Sequence, residues 1–171
     1  MTTAYNGSWY IPAKPTSYSA LGFIGALIFG TLFAGIADLG CQIALAHLAG
    51  APPESVLRTI ASAVINPATI ADDKQLLIIG GGVHFGIIAV MMLVYLIAAA
   101  RIPLVNSMPE ISIFGYGLLL GFIMIWVVLP LRFPDRVPGT LPVDIIGPLL
   151  RHICMVAAPI AMVAKRAAQR D

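Results

Sequence analysis

LLIIGGGVHFGIIAVMMLVYLIAAA, residues 76–100, runs for twenty-five positions without a formal charge, and His84 is its one imidazole. A helix rises about 1.5 Å per residue, so this run is long enough to cross the ~30 Å of hydrocarbon in a bilayer. A spanning strand would need only about ten residues and would alternate in polarity, which this run does not do. Three further stretches of this kind lie at about 19–47, 111–131 and 142–164. The 171 residues are 59% hydrophobic and 11% charged, against roughly 25% charged in soluble chains. The expectation is an all-α integral membrane protein, a four-helix bundle with antiparallel up-down topology. Short connections between the last three spans favour antiparallel neighbours and place both termini on one side. Residues 19–166 form one domain, with an N-terminal segment over 1–18 and a tail over 167–171.

The first run also carries Ala44-Leu45-Ala46, a loose cleavage signature, but it is longer than a secretory core and is preceded only by Lys14, so it is expected to remain as a span. Leu39-Gly40-Cys41 glances at a lipoprotein site, yet Asp38 stands where a large aliphatic residue belongs. Residues 1–18, with Trp9, Tyr10 and Tyr18, read as a segment in the interfacial zone that aromatic rings favour. Between the first two spans, Val56, Leu57, Ile60, Ala61 and Val64 recur at helical spacing opposite Ser55, Arg58, Thr59 and Ser62. This predicts a short amphipathic interfacial helix over about 53–65, stopped by Asn66-Pro67, which anchors at the interface or covers the bundle mouth as a lid.

Small residues four apart predict close helix packing at Ala26 and Gly30, Gly82 and Gly86, and Gly117 and Gly121. Gly80-Gly81-Gly82 sacrifices about 1 kcal/mol of helix propensity per glycine, implying an irregular helix or a very close neighbour. Pro130 is expected to end the third span, with Trp126 near the headgroups, and Pro148 to kink the fourth beside His152.

Three ionisable residues fall at one depth. His84 lies about eight residues into its span, His152 about ten into the last, and Asp38 about nine before the end of the first. Asp38 also belongs to a polar stripe with Thr31, Cys41 and Gln42 that should face the bundle interior. An Asp in hydrocarbon costs at least ~2.5 kcal/mol, so the cluster needs a partner or a purpose. In the plainest reading Asp38 bonds one histidine and the cluster fixes helix register. A second makes His84 and His152 the axial ligands of a b-type haem, with Gly81 or Gly82 giving room and Arg151 meeting a propionate. A third is a proton or small-ion conduit centred on Asp38. A non-haem metal is weaker, because no metal-ligand spacing is present. Cys41 and Cys154 share a leaflet and read as inert packing rather than a redox pair, and His47 as an interfacial side chain.

The formal net charge of +2 and the absence of a basic stripe speak against nucleic acid. No nucleophile with its base and no phosphate-binding glycine motif supports an enzyme. Five basic residues fall on each side of the four spans, and Lys165 and Arg166, abutting the last, tip the balance towards cytoplasmic termini.

Ala37-Asp38-Leu39, the run Pro53 to Ser62 (PESVLRTIAS), His84-Phe85, Val127-Val128-Leu129-Pro130-Leu131 and His152 form an ordered set across residues 20–166. In that set the chain resembles a group of small, uncharacterised bacterial four-span inner-membrane proteins. The resemblance implies a bacterial inner-membrane location and supplies no activity, cofactor or partner. The expected role is an accessory or structural subunit of a larger membrane complex, or a homo-oligomer in lipid.

Overall fold

A computed structural model of the protein describes residues 17–66, 69, 72–134 and 142–168. The segment holding Trp9 and Tyr10, together with Pro67, Arg136 and Arg170, lies outside the described residues. Helix α1 spans Ala20–Leu48, α2 Glu54–Ser62, α3 Asp73–Arg101 and α4 Pro103–Ser107. The rod α5 covers Pro109–Arg132. A second rod, α6, is built from consecutive segments Pro142–Arg151, His152–Ala157 and Ala158–Ala168. Four of these, α1, α3, α5 and α6, are long and apolar enough to cross a membrane.

Local chemistry sets the helix ends. The Ser19 hydroxyl accepts from Gly22 N at 3.0 Å to open α1. At its other end Gly50 adopts φ +80°, a left-handed conformation that glycine takes without penalty. Gly50 N then bonds His47 O and Ala51 N bonds Ala46 O, each at 2.9 Å, closing a Schellman turn. Asp72 caps α3 through Lys74 N at 2.9 Å, which moves the start three residues ahead of the predicted 76. Helix α2 stops at Ser62, short of the predicted 65, where the Ser62 hydroxyl turns back onto Thr59 O at 2.7 Å.

Large apolar side chains project outward along the rods: Leu21, Phe29 and Ile36 on α1, Ile78 and Val90 on α3, Phe122 on α5. Inside, Ala34, Met92, Leu96, Val156 and Ile160 form a common core. Tyr18, just ahead of α1, packs edge-on against Phe23, and burial pushes its phenol pKa up.

Glycines let the rods meet, though not all of those expected. A Cβ on Gly30 would lie 2.5 Å from the Met92 sulfur, one on Gly117 2.5 Å from Ile153, and one on Gly121 2.7 Å from Leu149. Ala26 is buried in the core. Gly82 and Gly86 do not pack: both turn to the outside of α3 with nothing within 4 Å of an added Cβ. The packing face of α3 carries Gly80, His84 and Ile88 instead, half a turn away. At Gly80 the Leu57 carbonyl of α2 occupies the place of a side chain. The triple glycine therefore admits a neighbouring backbone within an unbroken helix. Arg58 on α2 pairs with Asp73 at the start of α3, and that carboxylate's hydrogen bond raises the Arg58 pKa.

Pro130 does not end α5, which continues to Arg132. A proline ring clashes with the carbonyl four residues back and brings no N–H. In α5 that carbonyl is Trp126, inside a π-helical turn at Met124–Val128. In α6 Pro159 faces the Met155 carbonyl, inside a second π turn at His152–Ala157. Each rod thus widens by one residue just before its proline and carries on.

Candidate functional site

Asp38 stands about 15 Å from the end of α1 at Leu48, and His84 about 16 Å from the start of α3, by helix rise. Together with His152 they are the buried acidic and imidazole side chains among the described residues, 4%, 6% and 5% exposed respectively. Asp38 uses both its oxygens. Oδ1 accepts from Arg151 Nη1 of α6 at 2.8 Å, and Oδ2 from Gln42 Nε2, one turn along α1, at 2.7 Å. The ion pair is well shielded, with the Arg151 side chain 18% exposed and that of Asp38 5%.

Neither histidine touches Asp38 through a hydrogen bond. His84 Nε2 lies 3.0 Å from Gly35 O of α1, and His152 Nδ1 lies 2.8 Å from Pro148 O in its own rod. A carbonyl only accepts, so each of these nitrogens carries the proton and donates it. In the neutral ring the second nitrogen, His84 Nδ1 or His152 Nε2, is then an acceptor. Successive residues of a helix point about 100° apart, so Arg151 reaches α1 while His152 stays in the core.

Two expectations are corrected by this geometry. Asp38 was expected to bond a histidine; a guanidinium and an amide saturate it instead. Arg151 was expected to meet a propionate, and it is committed to Asp38. A bis-histidine haem would need a lone pair from each ring aimed at one iron. His84 has the nitrogen farthest from its backbone turned to α1, so these residues do not fit a haem. Among the described residues no three His, Cys, Asp or Glu side chains gather closely enough to hold a metal. Thr31 lies about two turns from Asp38, its hydroxyl buried without a hydrogen-bond partner. Cys41 and Cys154 are both free thiols. His47 is exposed in the last turn of α1.

Asp38, Gln42, His84, Arg151 and His152 open onto one cavity of about 360 Å³. Its remaining walls are largely apolar, and α2 contributes Thr59 and Ile60, with Ala63 just beyond its end. No family model, curated protein or solved structure matches the chain. Sequence reasoning missed the role of Arg151, although the depth that singled out His152 applies equally to its neighbour. It also missed Asp144 and Thr59 on the cavity wall, and a second cavity of about 300 Å³ between Tyr95, Glu110 and Lys165. There the two charged side chains are exposed, unlike those around Asp38.

Proposed function

We propose that the chain is a four-span inner-membrane protein of the bacterial type it resembles, acting as an accessory or structural subunit of a membrane complex or as a homo-oligomer. The observation that carries this reading is the use of its polar core to tie the helices together. Asp38, Gln42, Arg151, His84 and His152 each satisfy a neighbour within the chain, and three of those bonds join α1 to α3 or α6 or fix α6 on itself. Such bonds in lipid are worth about 0.6–2 kcal/mol each and orient helices.

The pairing of positions supports an antiparallel order. As α1 advances from Gly30 to Gly35, its contacts on α3 retreat from Met92 to Phe85. As α5 advances from Gly117 to Gly121, its contacts on α6 retreat from Ile153 to Leu149. Both termini then lie on one side, which the Lys165 and Arg166 charges assign to the cytoplasm. A conduit centred on Asp38 gains less support, because both carboxylate oxygens are occupied and neither histidine continues the chain of bonds.

The test is the native size of the protein extracted in mild detergent. Migration as a discrete species well above the 18.1 kDa chain is expected, whether with other subunits or with copies of itself. A monodisperse monomer together with no co-purifying protein would overturn the subunit reading.

A further inference from the structure

The cavity beside Asp38 has a chemistry that a purely structural core does not need. Its volume of about 360 Å³ lies in the range of small-molecule sites, roughly 300–1,000 Å³, and apolar walls with a few convergent polar groups are the usual makeup of such sites. Ile87, Met91, Met124, Ile125 and Val128 supply a hydrocarbon lining, with two methionines that adapt to an irregular occupant. The polar end has an unusual balance of donors and acceptors. Each histidine has given its N–H to a backbone carbonyl, leaving ring lone pairs, while Arg151 has spent one N–H on Asp38 and retains others.

We propose that this cavity binds a neutral amphiphile whose head is a hydroxyl, an alcohol or phenol on a hydrocarbon body. A hydroxyl donates one hydrogen bond and accepts another, which matches an imidazole lone pair beside a guanidinium N–H. Charge argues for neutrality. The cavity wall holds the carboxylates of Asp38 and Asp144 against the single guanidinium of Arg151, so an anionic head meets net repulsion. An ammonium head is drawn by that net negative wall but has no acceptor to offer the Arg151 N–H groups, so a hydroxyl alone serves both the guanidinium and an imidazole lone pair. This inference goes beyond the subunit reading and does not rest on it.

The probe is a long-chain alcohol carrying a diazirine on its tail, photolysed with the full-length protein in lipid nanodiscs and mapped by peptide mass spectrometry. Adducts are expected on residues 83–91 and 124–129, removed by excess decanol and far less by decanoate or decylamine. His84→Phe and His152→Phe keep a planar ring but delete its nitrogens; a hydroxyl has one proton to give, so one of the two is expected to lower this labelling about fivefold, the loss of one hydrogen bond, and the other to change it less. Competition on the wild-type protein decides the matter even where a variant fails to fold. Labelling spread over outward residues such as Phe29 and Ile78 and indifferent to decanol would overturn the proposal, as would stronger competition by decanoate or decylamine.

Discussion

Asp38 and Arg151 form an ion pair that ties α1 to α6, and its energetics are asymmetric. Removing one partner of a buried pair leaves an uncompensated charge and typically costs about 3–5 kcal/mol, whereas replacing both with apolar residues of similar volume is often neutral or stabilising. Asp38→Leu alone and Arg151→Met alone should each lower the detergent melting temperature sharply. The double variant should recover most of the loss, as read by thermal unfolding followed by circular dichroism. A double variant as unstable as the worse single would show that the pair does not act as a unit. Sequence reasoning reached Asp38, Gln42, His84 and His152 because ionisable or amide groups inside apolar runs stand out. It could not reach the pairing of Asp38 with Arg151 or of each histidine with a backbone carbonyl. Depth follows from counting residues, but which face a residue presents depends on helix phase, and the π turn at His152 shifts that phase in a way no periodicity reveals.

At the scale of elements, the seat of α2 on α3 turns on one glycine. An Ala at position 80 would drive its Cβ into the Leu57 carbonyl, a backbone atom that cannot rotate aside. Overpacking of this kind costs about 1–3 kcal/mol and outweighs the gain of up to ~1 kcal/mol in helix propensity. Gly82→Ala meets nothing within 4 Å and should leave stability unchanged or raise it slightly. Gly80→Ala should therefore melt below the wild type, and protease cleavage between α2 and α3 should accelerate, while Gly82→Ala does neither. The reverse order would mean that α2 does not rest on Gly80. The Arg58–Asp73 pair adds a second, exposed tie, whose contribution should fade with added salt. Spacing rules placed packing glycines correctly at Gly30, Gly117 and Gly121, and misplaced them at Gly82 and Gly86. A four-residue repeat defines a stripe without saying which stripe faces the neighbour. Proline was misread for a related reason: Pro130 breaks an α-helix, but a π turn absorbs it.

For the whole molecule, the four long rods were legible because uninterrupted apolarity over twenty or more residues leaves a helix little alternative in lipid. The short α4 was not legible, since Pro103 at its first turn and five residues give no periodic signal. Orientation is where the sequence is most evenly balanced: its count of five basic residues on either side includes Arg151, which the structure places inside α6 against Asp38. The antiparallel order proposed for α1 with α3 and α5 with α6 nonetheless has a sharp consequence for the loops. In the proposed arrangement the turn after α1 at Ala51 and the α4 segment at Ser107 are expected to face opposite compartments, because α3 alone separates them. In a chain with Cys41 and Cys154 changed to Ser, single cysteines at Ala51→Cys and Ser107→Cys can be probed with a membrane-impermeant maleimide on intact cells. Ala51→Cys is expected to react from outside and Ser107→Cys only after lysis, since Lys165 and Arg166 favour the cytoplasmic side for the α4 end of the rods. Reaction of Ser107→Cys alone would invert the topology while keeping the pairing. Reaction of both from outside would break the four-span arrangement itself, because α3 would no longer cross.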